Sequence, residues 1–449
     1  MPDDPVADLL AFLAASPSPY HAVAEASRRL EAAGFAEVDE TAVWDAPVGP
    51  GHVVRGGSLV AWGAGADLAS GDGAFRLIGA HTDSPNLRIK PQPESSSVGW
   101  RQLGVEIYGG VLLNSWLDRD LGLSGRVGVA GETGTEVRLV RDDRPLLRVP
   151  QLAIHLDRDV NQAGLKLNPQ QHLTPVWGFG NTGPGSFAGY LAAQLGVEHD
   201  QVLSWDVMAH DLTAPCVAGR HGELVSSARI DNQLSCWAAI QALVATAGSS
   251  AGSSGRSSGG SAPGSGDRPA GRPTPIIALF DHEEIGSVSS SGADSDLLAS
   301  VVERLVLAAG GDRAALLRAL AASRAVSCDG AHATHPNYPE RHDPGHLIAV
   351  NGGPVIKHNA NVRYATDAGT AAWFEAVCRQ VDVPVQHFVS RDDMPCGSTI
   401  GPITAARLGI RTVDVGAAQL SMHSARELCG SADPALLAVA LAAALVSSD

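Results

Sequence analysis

Five short segments of the sequence place metal-binding side chains where an apolar run ends or a helix begins. These segments are His81-Thr82-Asp83, Asp281-His282-Glu283-Glu284, Ser327-Cys328-Asp329, Met422-His423-Ser424 and Arg229-Ile230-Asp231. Their donors are two imidazoles and three carboxylates with a further adjacent glutamate, a set that suits Zn²⁺, Mn²⁺ or Co²⁺ and is not a thiolate site. Three anionic ligands would neutralise most of the charge of two divalent ions, whereas around a single divalent ion their negative charge would be in excess. The sequence therefore predicts two metal ions that share a carboxylate, an arrangement known from hydrolytic sites.

Each of these segments also has an ordinary structural explanation. A single His-x-Asp is a weak motif, and paired glutamates such as Glu283-Glu284 are common at the solvated start of a helix. Asp231 and Asp329 alone are typical of helix caps or turns, and His423 alone is typical of a hydrogen-bonded histidine. The recurrence of such residues at the ends of several apolar strands favours one shared site over five separate coincidences.

The elements that must bring these segments together alternate between apolar strands and helices. Strands are predicted at Phe75–Ala80, Ile276–Phe280, Ala325–Ser327 and Thr412–Val415. Helices are predicted at Ala22–Ala33, Gln233–Ala247, Ser295–Ala309, Thr370–Gln380 and from Pro434 onwards. This alternation predicts an α/β fold with a mixed, mostly parallel sheet flanked by helices, and ligands in such a sheet gather at the carboxyl ends of the strands.

Two stretches interrupt the alternation. From about residue 91 to 220, short alternating runs such as Gly125–Val129, Glu136–Val140 and Pro150–Ile154 lie between Gly, Pro and Asp residues, which predicts a β-rich insert. Residues 248–274 are rich in Gly, Ser and Pro with almost no apolar content, which predicts a flexible surface loop within a domain.

The composition of the 449-residue chain excludes several classes of protein. Its 44 % apolar content supports a sizeable core, and its net charge of −16 argues against a nucleic-acid partner, whose phosphates attract cationic side chains. The acidic N-terminus lacks the features of a secretory signal, and the longest apolar run, Ala435–Val446, is too short to span a membrane. Six cysteines without a C-x-x-C pair indicate reduced thiols, so a cytoplasmic protein without a membrane partner is predicted.

Several longer segments resemble the aspartyl aminopeptidase family of dizinc metallopeptidases. They include AHTDSPNLRIKP, WLDRDLGLSGRV, SSARIDNQLSC, DHEEIGS, DGAHATHPNY, GGPVIKHNANVRYATDA and QLSMHSARE. The similarity keeps its order along essentially the whole chain, apart from the Gly/Ser-rich stretch. It implies a catalytic domain formed by residues 1–91 and 222–449, interrupted by a β-rich dimerisation insert at 92–221. It also implies hydrolysis of the N-terminal residue of peptides, with Asp or Glu preferred.

The resemblance also assigns metal ligands residue by residue. His81 and Asp329 would complete one metal site, and Glu284 and His423 would complete the other. Asp231 would bridge the two ions, which are expected to be zinc, with manganese or cobalt as alternatives. The second ion would bind the free amine of the substrate, which explains why one residue is removed at a time.

Two acidic residues that do not bind metal receive roles from the same resemblance. Asp83 would accept the second ring N–H of His81 and thereby fix its tautomer. Glu283 would be the general base, taking a proton from the water that bridges the ions and delivering it to the leaving amine.

Three further residues are implied by the resemblance, with alternatives left open by the sequence. His155 is similar to an insert-domain histidine that reaches the active site of a neighbouring subunit, although a histidine beside a strand end would look the same. Lys357, with Tyr364 nearby, would select acidic side chains, although it could be a surface lysine at the end of a strand. The family forms tetrahedral dodecamers, so a homo-oligomer with an enclosed chamber is expected.

Two alternatives to an aminopeptidase are compatible with this fold, one with the same ligands and one without catalysis. A dizinc deacylase or carboxypeptidase would act on another amide, and blocking the N-terminal amine of the substrate would distinguish it from an aminopeptidase. A non-catalytic assembly protein would keep the fold but lose Glu283 or a ligand, and all of these residues are present. The H-E-x-x-H pattern is absent, which argues against a one-zinc site on a helix.

Overall fold

The computed structural model of the chain describes residues 2–45, 48–65, 68–70, 73–180, 186–251 and 272–448, without side chains at 248–251. Its helices in chain order are Pro5–Ala15 (α1), Pro19–Ala32 (α2), Val160–Ala163 (α3), Pro169–His172 (α4), Phe187–Leu195 (α5), Ile230–Ala251 (α6), Leu297–Ala308 (α7), Arg313–Ala321 (α8), Ala368–Gln380 (α9), Ile400–Leu408 (α10) and Asp433–Val446 (α11). Capping residues determine where several of these helices begin. The Asp4 carboxylate accepts two backbone N–H groups ahead of α1, and the Ser18 hydroxyl accepts one ahead of α2.

The strands of the described chain form three sheets. In chain order they are Ala36–Glu37 (β1), Gly51–Arg55 (β2), Ser58–Trp62 (β3), Phe75–His81 (β4), Asn86–Ser97 (β5), Trp100–Tyr108 (β6), Leu121–Gly131 (β7), Gly134–Leu147 (β8), Val176–Phe179 (β9), Val202–Asp211 (β10), Cys216–Ala218 (β11), Leu224–Ser227 (β12), Thr274–Phe280 (β13), Arg324–Cys328 (β14), Ala331–His332 (β15), Val355–His358 (β16), Gln386–Val389 (β17), Arg411–Gly416 (β18), Ala418–Leu420 (β19) and Glu427–Gly430 (β20).

The central sheet has nine strands in the order β1-β2-β3-β13-β4-β14-β18-β16-β17. Its middle four strands, β13, β4, β14 and β18, run parallel to one another. The register pairs Phe280 with His81 and Cys328 with Val415, so the carboxyl ends of these strands lie along one edge. Antiparallel pairs occur at β2·β3, β3·β13 and β16·β18. The prediction of a mixed, mostly parallel sheet flanked by helices is confirmed.

Helices cover both faces of this sheet, which is why its inner strands are almost wholly apolar. All seven residues of β13 are buried, as expected for a parallel strand with helices on both sides. One face packs against α1, α2, α6, α9 and α11 through residues such as Phe12, Trp237 and Phe374. The other face packs against α7, α8 and α10, where Leu297 and Ile400 are buried.

A six-stranded antiparallel sheet, in the order β8-β7-β10-β5-β6-β9, holds the β-rich part of the chain. Leu121, Val127 and Val207 contribute to a separate core on this sheet, and α5 adds Phe187 to it. The sheet begins at Asn86 and ends at Asp211. The division into domains at 91/92 and 221/222 stays a prediction.

The strand predicted at Pro150–Ile154 is wrong. Residues 150–153 pair with no strand, and a turn follows in which the Leu156 N–H donates to the Ala153 carbonyl. Pro150 lacks the N–H that a ladder requires, and the alternating apolar side chains face outwards, with Leu152 57 % exposed. The alternation of apolar and polar residues favoured a strand here, but its apolar side chains are part of no buried face in the described chain.

A small sheet in the order β11-β12-β20-β19-β15 lies beside the carboxyl edge of the central sheet. Strand β12 leads into α6, and the turn between β19 and β20 contains residues 421–426. Helix α6 continues to Ala251 and β13 begins at Thr274, so the interior of the predicted loop at 248–274 lies outside the described residues. Within the described helices, we find none of the length and apolarity needed to cross a membrane.

Candidate metal centre

The ends of three parallel strands place carboxylates and an imidazole at one edge of the central sheet. His81 is the last residue of β4, and its side chain is 2 % exposed. Asp329 directly follows β14, and the 3₁₀ turn Glu283–Ile285 follows β13 after two residues. Because these strands are adjacent and in register, their terminal side chains converge as the strand-end pattern predicted.

Asp231 and His423 reach the same place by less regular backbone. Asp231 lies at the start of α6 with extended dihedral angles (φ −80°, ψ 108°), and the following peptide bond to Asn232 is cis. His423 follows β19 and has a left-handed backbone conformation with φ 67°. Its Nδ1 donates to the carbonyl of Gly110 at 3.0 Å, which directs Nε2 towards Asp231.

Asp231 lies between the two histidines. Its Oδ1 is 3.5 Å from Nε2 of His81, and its Oδ2 is 3.3 Å from Nε2 of His423. His81 Nε2 is also 3.4 Å from Asp329, and His423 Nε2 is 3.4 Å from Glu284. Two groups of three donors therefore share Asp231. That these residues are metal ligands stays a prediction.

These separations fit the coordination of zinc. Metal–ligand bonds of about 2.0–2.2 Å at tetrahedral angles put neighbouring donors about 3.3–3.6 Å apart. Asp231 Oδ1 and Glu284 Oε1 are moreover buried without a hydrogen-bond partner, which is costly unless a cation compensates them. The donor set and its spacing are thus suited to divalent ions.

The carboxylates around the two imidazoles raise the pKa of both histidines. Burial alone would lower the pKa of His423, but the bond to Asp231 and the charge of Glu284 raise it to about 10. For His81, burial again opposes ionisation, yet Asp231 and Asp329 hold the pKa well above its usual range. Negative charge concentrated at this edge therefore attracts cations.

Asp83 joins several parts of the site. Its Oδ1 is 3.4 Å from His81 Nδ1, while its own backbone carbonyl is closer to that nitrogen, at 3.0 Å. Its carboxylate also accepts the Tyr108 hydroxyl at 2.7 Å and the N–H groups of Glu283 and Glu284 at 3.2 Å. Asp83 thus supports the imidazole and the turn after β13 together.

Glu283 faces the same space without joining the groups around Asp231. Its Oε2 is 3.9 Å from His81 Nε2, and its side chain is 15 % exposed. Burial, together with nearby Asp329 and Asp83, raises the pKa of its carboxyl to about 8. A carboxyl with that pKa can exchange a proton near neutral pH.

The donors open into a cavity of about 570 Å³, whose wall includes Lys357, Tyr364 and His332. Lys357 is 1 % exposed, and its Nζ lies 5.0 Å from the centre of the Tyr364 ring. The same Nζ donates to the Asp329 carbonyl at 3.1 Å, to the Asp329 carboxylate at 3.3 Å and to the Gly330 carbonyl at 3.2 Å. Lys357 is therefore buried beside the site and is not a surface lysine.

Among the predicted site residues, Asp83 does not line the cavity but contacts His81 and Glu283, which do. His155 is not brought to the cavity at all. It lies exposed in the turn that follows Ala153, and it is absent from the described residues that line the cavity. Conversely, sequence reasoning missed His332, which lines the cavity, and Glu427, which binds the backbone of Asp231 and His423. Both occur within the segments that resembled the family, DGAHATHPNY and QLSMHSARE, but neither directly follows an apolar strand of the central sheet.

The site has two sets of metal-binding side chains with one carboxylate in common, at the edge of a parallel sheet and beside a cavity. Such an arrangement is typical of metal-dependent hydrolases. Comparison with known proteins narrows this class. The family described as Aminopeptidase I zinc metalloprotease (M18) matches residues 12–444. The chain belongs to the M18 family and is a metal-dependent aminopeptidase, which confirms the resemblance seen in the sequence.

Similar proteins cover the chain almost completely. A Streptomyces avermitilis protein described as "Probable M18 family aminopeptidase 2" is 54 % identical over 442 residues, which is 98 % of this chain and 96 % of that protein. A Mycobacterium leprae protein with the same description is 52 % identical over 441 residues, covering 97 % of each. Among solved structures, the Ape4 and Nbr1 complex gives a TM-score of 0.89 at 36 % identity, covering 98 % of this chain and 85 % of that one.

Proposed function

We propose that this aminopeptidase removes the N-terminal residue of peptides with two divalent ions and prefers an acidic residue there. The observation that carries the two-ion proposal is the position of Asp231, whose two carboxylate oxygens face different histidines at 3.5 and 3.3 Å. A carboxylate so placed can bridge ions about 3.5–4 Å apart.

The proposed ligands divide into two sets around Asp231. His81 and Asp329 would hold one ion, and His423 and Glu284 would hold the other. When bound, the ions would polarise the scissile carbonyl, activate the attacking water and bind the free amine of the substrate. Zinc is the ion expected from the family, and manganese or cobalt suits the same donors.

Glu283 is the proposed general base. Its carboxylate borders the cavity but belongs to neither ligand set, and Asp83 fixes its backbone through the Glu283 N–H. Oε2 of Glu283 would accept a proton from the attacking water and then donate it to the nitrogen of the leaving amine. Asp83 would orient the His81 ring during this step.

The first test is Glu283→Gln assayed on Asp, Glu, Leu and Ala p-nitroanilides after zinc loading. We expect kcat to fall at least about 100-fold, because general-base catalysis is lost, while zinc content stays at two ions per chain. Glu303→Gln, on the distant helix α7, is the matched control and should retain full activity. Unchanged kcat in Glu283→Gln would remove Glu283 as the base.

An N-acetylated substrate tests the proposed recognition of the free amine. Acetylation removes the positive charge and the lone pair that an ion would bind, so turnover of N-acetyl-Asp p-nitroanilide should fall below detection. Equal turnover of free and acetylated substrates would instead favour the deacylase alternative.

Lys357 is the proposed selector of acidic side chains. It is the one lysine or arginine among the described residues lining the cavity, and it is fully desolvated, which strengthens its attraction for a carboxylate. Its bond to the Asp329 carboxylate is the contact that a substrate carboxylate could replace. Tyr364, beneath Nζ, would form the adjoining wall of the pocket.

Lys357→Met keeps an unbranched side chain close in length to lysine and removes its charge. We expect kcat/KM for Asp and Glu substrates to fall about 10- to 100-fold more than for Leu, the range given by one charged hydrogen bond. Arg313→Met, which removes an exposed positive charge on α8 outside the cavity lining, is the control. An equal loss on all substrates would mean that Lys357 supports Asp329 and does not select.

We also propose that the chain works as a homo-oligomer in which His155 serves a neighbouring subunit. Residues 150–168, which we call the exposed arm, carry outward apolar side chains, including Leu152 at 57 %, Ile154 at 46 % and Leu156 at 74 % exposure. Such a contiguous apolar surface favours contact with another protein. A related protein, mApe1 of S. cerevisiae, is a dodecamer in a solved structure with a TM-score of 0.81.

Mixing two inactive variants tests this arrangement. His155→Ala subunits keep their own Glu283, and Glu283→Gln subunits keep His155, so mixed oligomers should regain activity if His155 acts between subunits. Leu156→Asp should give smaller species by analytical ultracentrifugation, whereas Leu317→Asp, an exposed leucine on α8, should not. No recovery in the mixture would place His155 outside the neighbouring site.

The proposed compartment is the cytoplasm. All six cysteines are free thiols, as the lack of C-x-x-C spacing predicted, and buried thiols such as Cys236 and Cys328 persist most readily in a reducing environment.

A further inference from the structure

Glu427 is a buried carboxylate that contacts the backbone of two proposed ligands at once. It is 2 % exposed and is the first residue of strand β20. Its Oε1 accepts the N–H of His423 at 2.7 Å, and its Oε2 accepts the N–H of Asp231 at 2.9 Å. The side chains of these two residues meet 3.3 Å apart on the cavity side.

We propose that Glu427 is a positioning residue that sets the separation between Asp231 and His423 and thereby the geometry of the second metal site. The proposal rests on the ligand roles given under Proposed function. The Glu427 carboxylate would align the proposed bridging ligand, Asp231 of α6, with the proposed terminal ligand, His423 in the turn after β19. These segments lie far apart in sequence, and Glu427 links them directly.

The strand that carries Glu427 is held rigidly. It pairs with β12, where Ser227 is opposite Glu427, and with β19, which leads to His423. The neighbouring Arg426 guanidinium donates to the carbonyls of Thr213, Ala214 and Ser226, among others. A carboxylate on a strand with so many contacts can fix the distance between the two backbone N–H groups that it binds.

Both backbones that Glu427 holds have conformations that need support. His423 has φ 67°, a left-handed conformation that is uncommon for residues other than glycine. Asp231 and Asn232 both have non-helical angles at the start of α6, where backbone N–H groups have no partner within the helix, so the Asp231 N–H is available for a side-chain acceptor. Without the buried Glu427 carboxyl, both N–H groups would lose their acceptor, which is costly.

The chemistry of the contact requires two acceptor oxygens. Glutamine at this position would offer one oxygen and one NH₂ group, and that NH₂ group would face a backbone N–H. One of the two ligand segments would then lose its contact and shift, although the side chain keeps its volume. Glu427→Gln therefore separates the acceptor role from packing.

The experiment measures zinc affinity of the full chain by competition with a chelator, alongside the visible spectrum of the cobalt-loaded protein. For Glu427→Gln we expect the affinity for one of the two ions to fall about 10- to 100-fold, the usual effect of losing a partner that orients a ligand, and the cobalt bands to shift. The matched control is Glu223→Gln, because Glu223 accepts the His221 N–H on an exposed loop. That variant should match the unsubstituted chain in both readouts.

Two further variants make each outcome decisive. Glu427→Asp keeps both oxygens on a shorter side chain, so it should fold if Glu427→Gln does not, and its zinc affinity should be intermediate. Zinc affinity within twofold of the unsubstituted chain, with unchanged cobalt bands in both Glu427 variants, would overturn the proposal. Asp231→Asn is measured in parallel, since retention of both ions there would overturn the ligand assignment itself, independently of Glu427.

Discussion

At the scale of single residues, Asp83 supports more of the site than one contact with His81 would require. The Tyr108 hydroxyl and the backbone N–H groups of Glu283 and Glu284 all donate to its carboxylate. One buried carboxylate therefore connects the imidazole, the turn that carries the proposed base and the antiparallel sheet, to which Tyr108 belongs.

Asp83→Asn tests this connection. The amide replaces an acceptor oxygen with a donor, so at least one N–H in the turn loses its partner and Glu283 moves. We expect zinc affinity to fall at least about tenfold and kcat to fall with it, measured by chelator competition and steady-state assays. Tyr108→Phe removes only one hydrogen bond, worth about 1 kcal/mol, and is the milder control. Equal zinc affinity in Asp83→Asn and the unsubstituted chain would contradict this role.

Sequence reasoning reached the residues that follow apolar strands, because the end of a parallel strand is a place that hydrophobic pattern alone defines. His81 and Asp329 are of this kind. His332 and Glu427 are not, since one lies in a two-residue strand after a turn and the other begins a short strand of the small sheet. The direction in which side chains on such short strands point depends on tertiary contacts, which the local sequence pattern does not encode.

At the scale of elements, the end of β18 leaves no room for a side chain. A Cβ on Gly416 would lie 1.8 Å from the backbone oxygen of Asp329 and 2.9 Å from its carbonyl carbon. Strands β14 and β18 pair up to Cys328 and Val415, so Asp329 is held where this glycine permits close approach.

Gly416→Ala should therefore push Asp329 away from β18. We expect a loss of about 1–3 kcal/mol in the free energy of unfolding, typical of overpacking, with weaker zinc binding. Thermal unfolding and chelator competition measure the two effects. Gly49→Ala is the control, because its Cβ would meet no atom within 4 Å. A Tm unchanged by Gly416→Ala would show that the strand ends can separate without cost.

The predicted elements agree best with the structure where burial on both sides selects long apolar runs. Ile276–Phe280 was predicted and Thr274–Phe280 is observed, since Thr274 and Pro275 are typical of turns but still pair with β4. The exposed arm shows the converse, because its alternation of apolar and polar residues has no partner strand within the described chain. The alternation of apolar and polar residues is the same in a strand with one buried face and in an exposed segment that contacts another molecule, so the sequence pattern cannot distinguish them.

At the scale of the whole molecule, a half-buried and a buried histidine lie on either side of the contact between α2 and the antiparallel sheet. His210 on β10 is 4 % exposed, with Nε2 3.0 Å from the Asp143 carboxylate on β8. His21 on α2 lies with Nδ1 2.8 Å from the Ser18 hydroxyl. Burial, with nearby Arg229 for His210 and Arg141 for His21, lowers the pKa of each ring to about 4.

Acid should therefore weaken this junction. Above about pH 6.5 a histidine is neutral in both the folded and the unfolded chain, so its contribution to stability is complete. As the pH falls from 6.5 towards 4, the unfolded chain takes up a proton that folded His210 does not, and up to about 3 kcal/mol of stability is lost.

His210→Gln should flatten the dependence of the free energy of unfolding on pH between about 4 and 6.5, by at most about 1.4 kcal/mol per pH unit. Denaturant unfolding at pH 8 and pH 5 measures it, and the pH 8 value isolates any loss of packing. Protonation of the metal ligands is common to both chains and cancels in the difference. Identical slopes would mean that His210 ionises freely in the folded chain.

The overall architecture was predictable in its central sheet and less so in how the other sheets join it. Apolar strands such as β4 and β13 must be covered on both faces, which leaves few arrangements. The antiparallel sheet was recognisable by composition, but its contact with the site through Tyr108 and Gly110 depends on the packing of two cores against each other.

The proposed ligands are drawn from strands and turns spread between residue 81 and residue 423. A ribosome making this chain produces His81 early, yet no two-ion set exists until the turn at 421–424 has been synthesised and β19 and β20 have paired. With these residues as ligands, peptide-cleaving ability would arise only after His423 has been added to the chain and folded against the strands that carry His81 and Asp329.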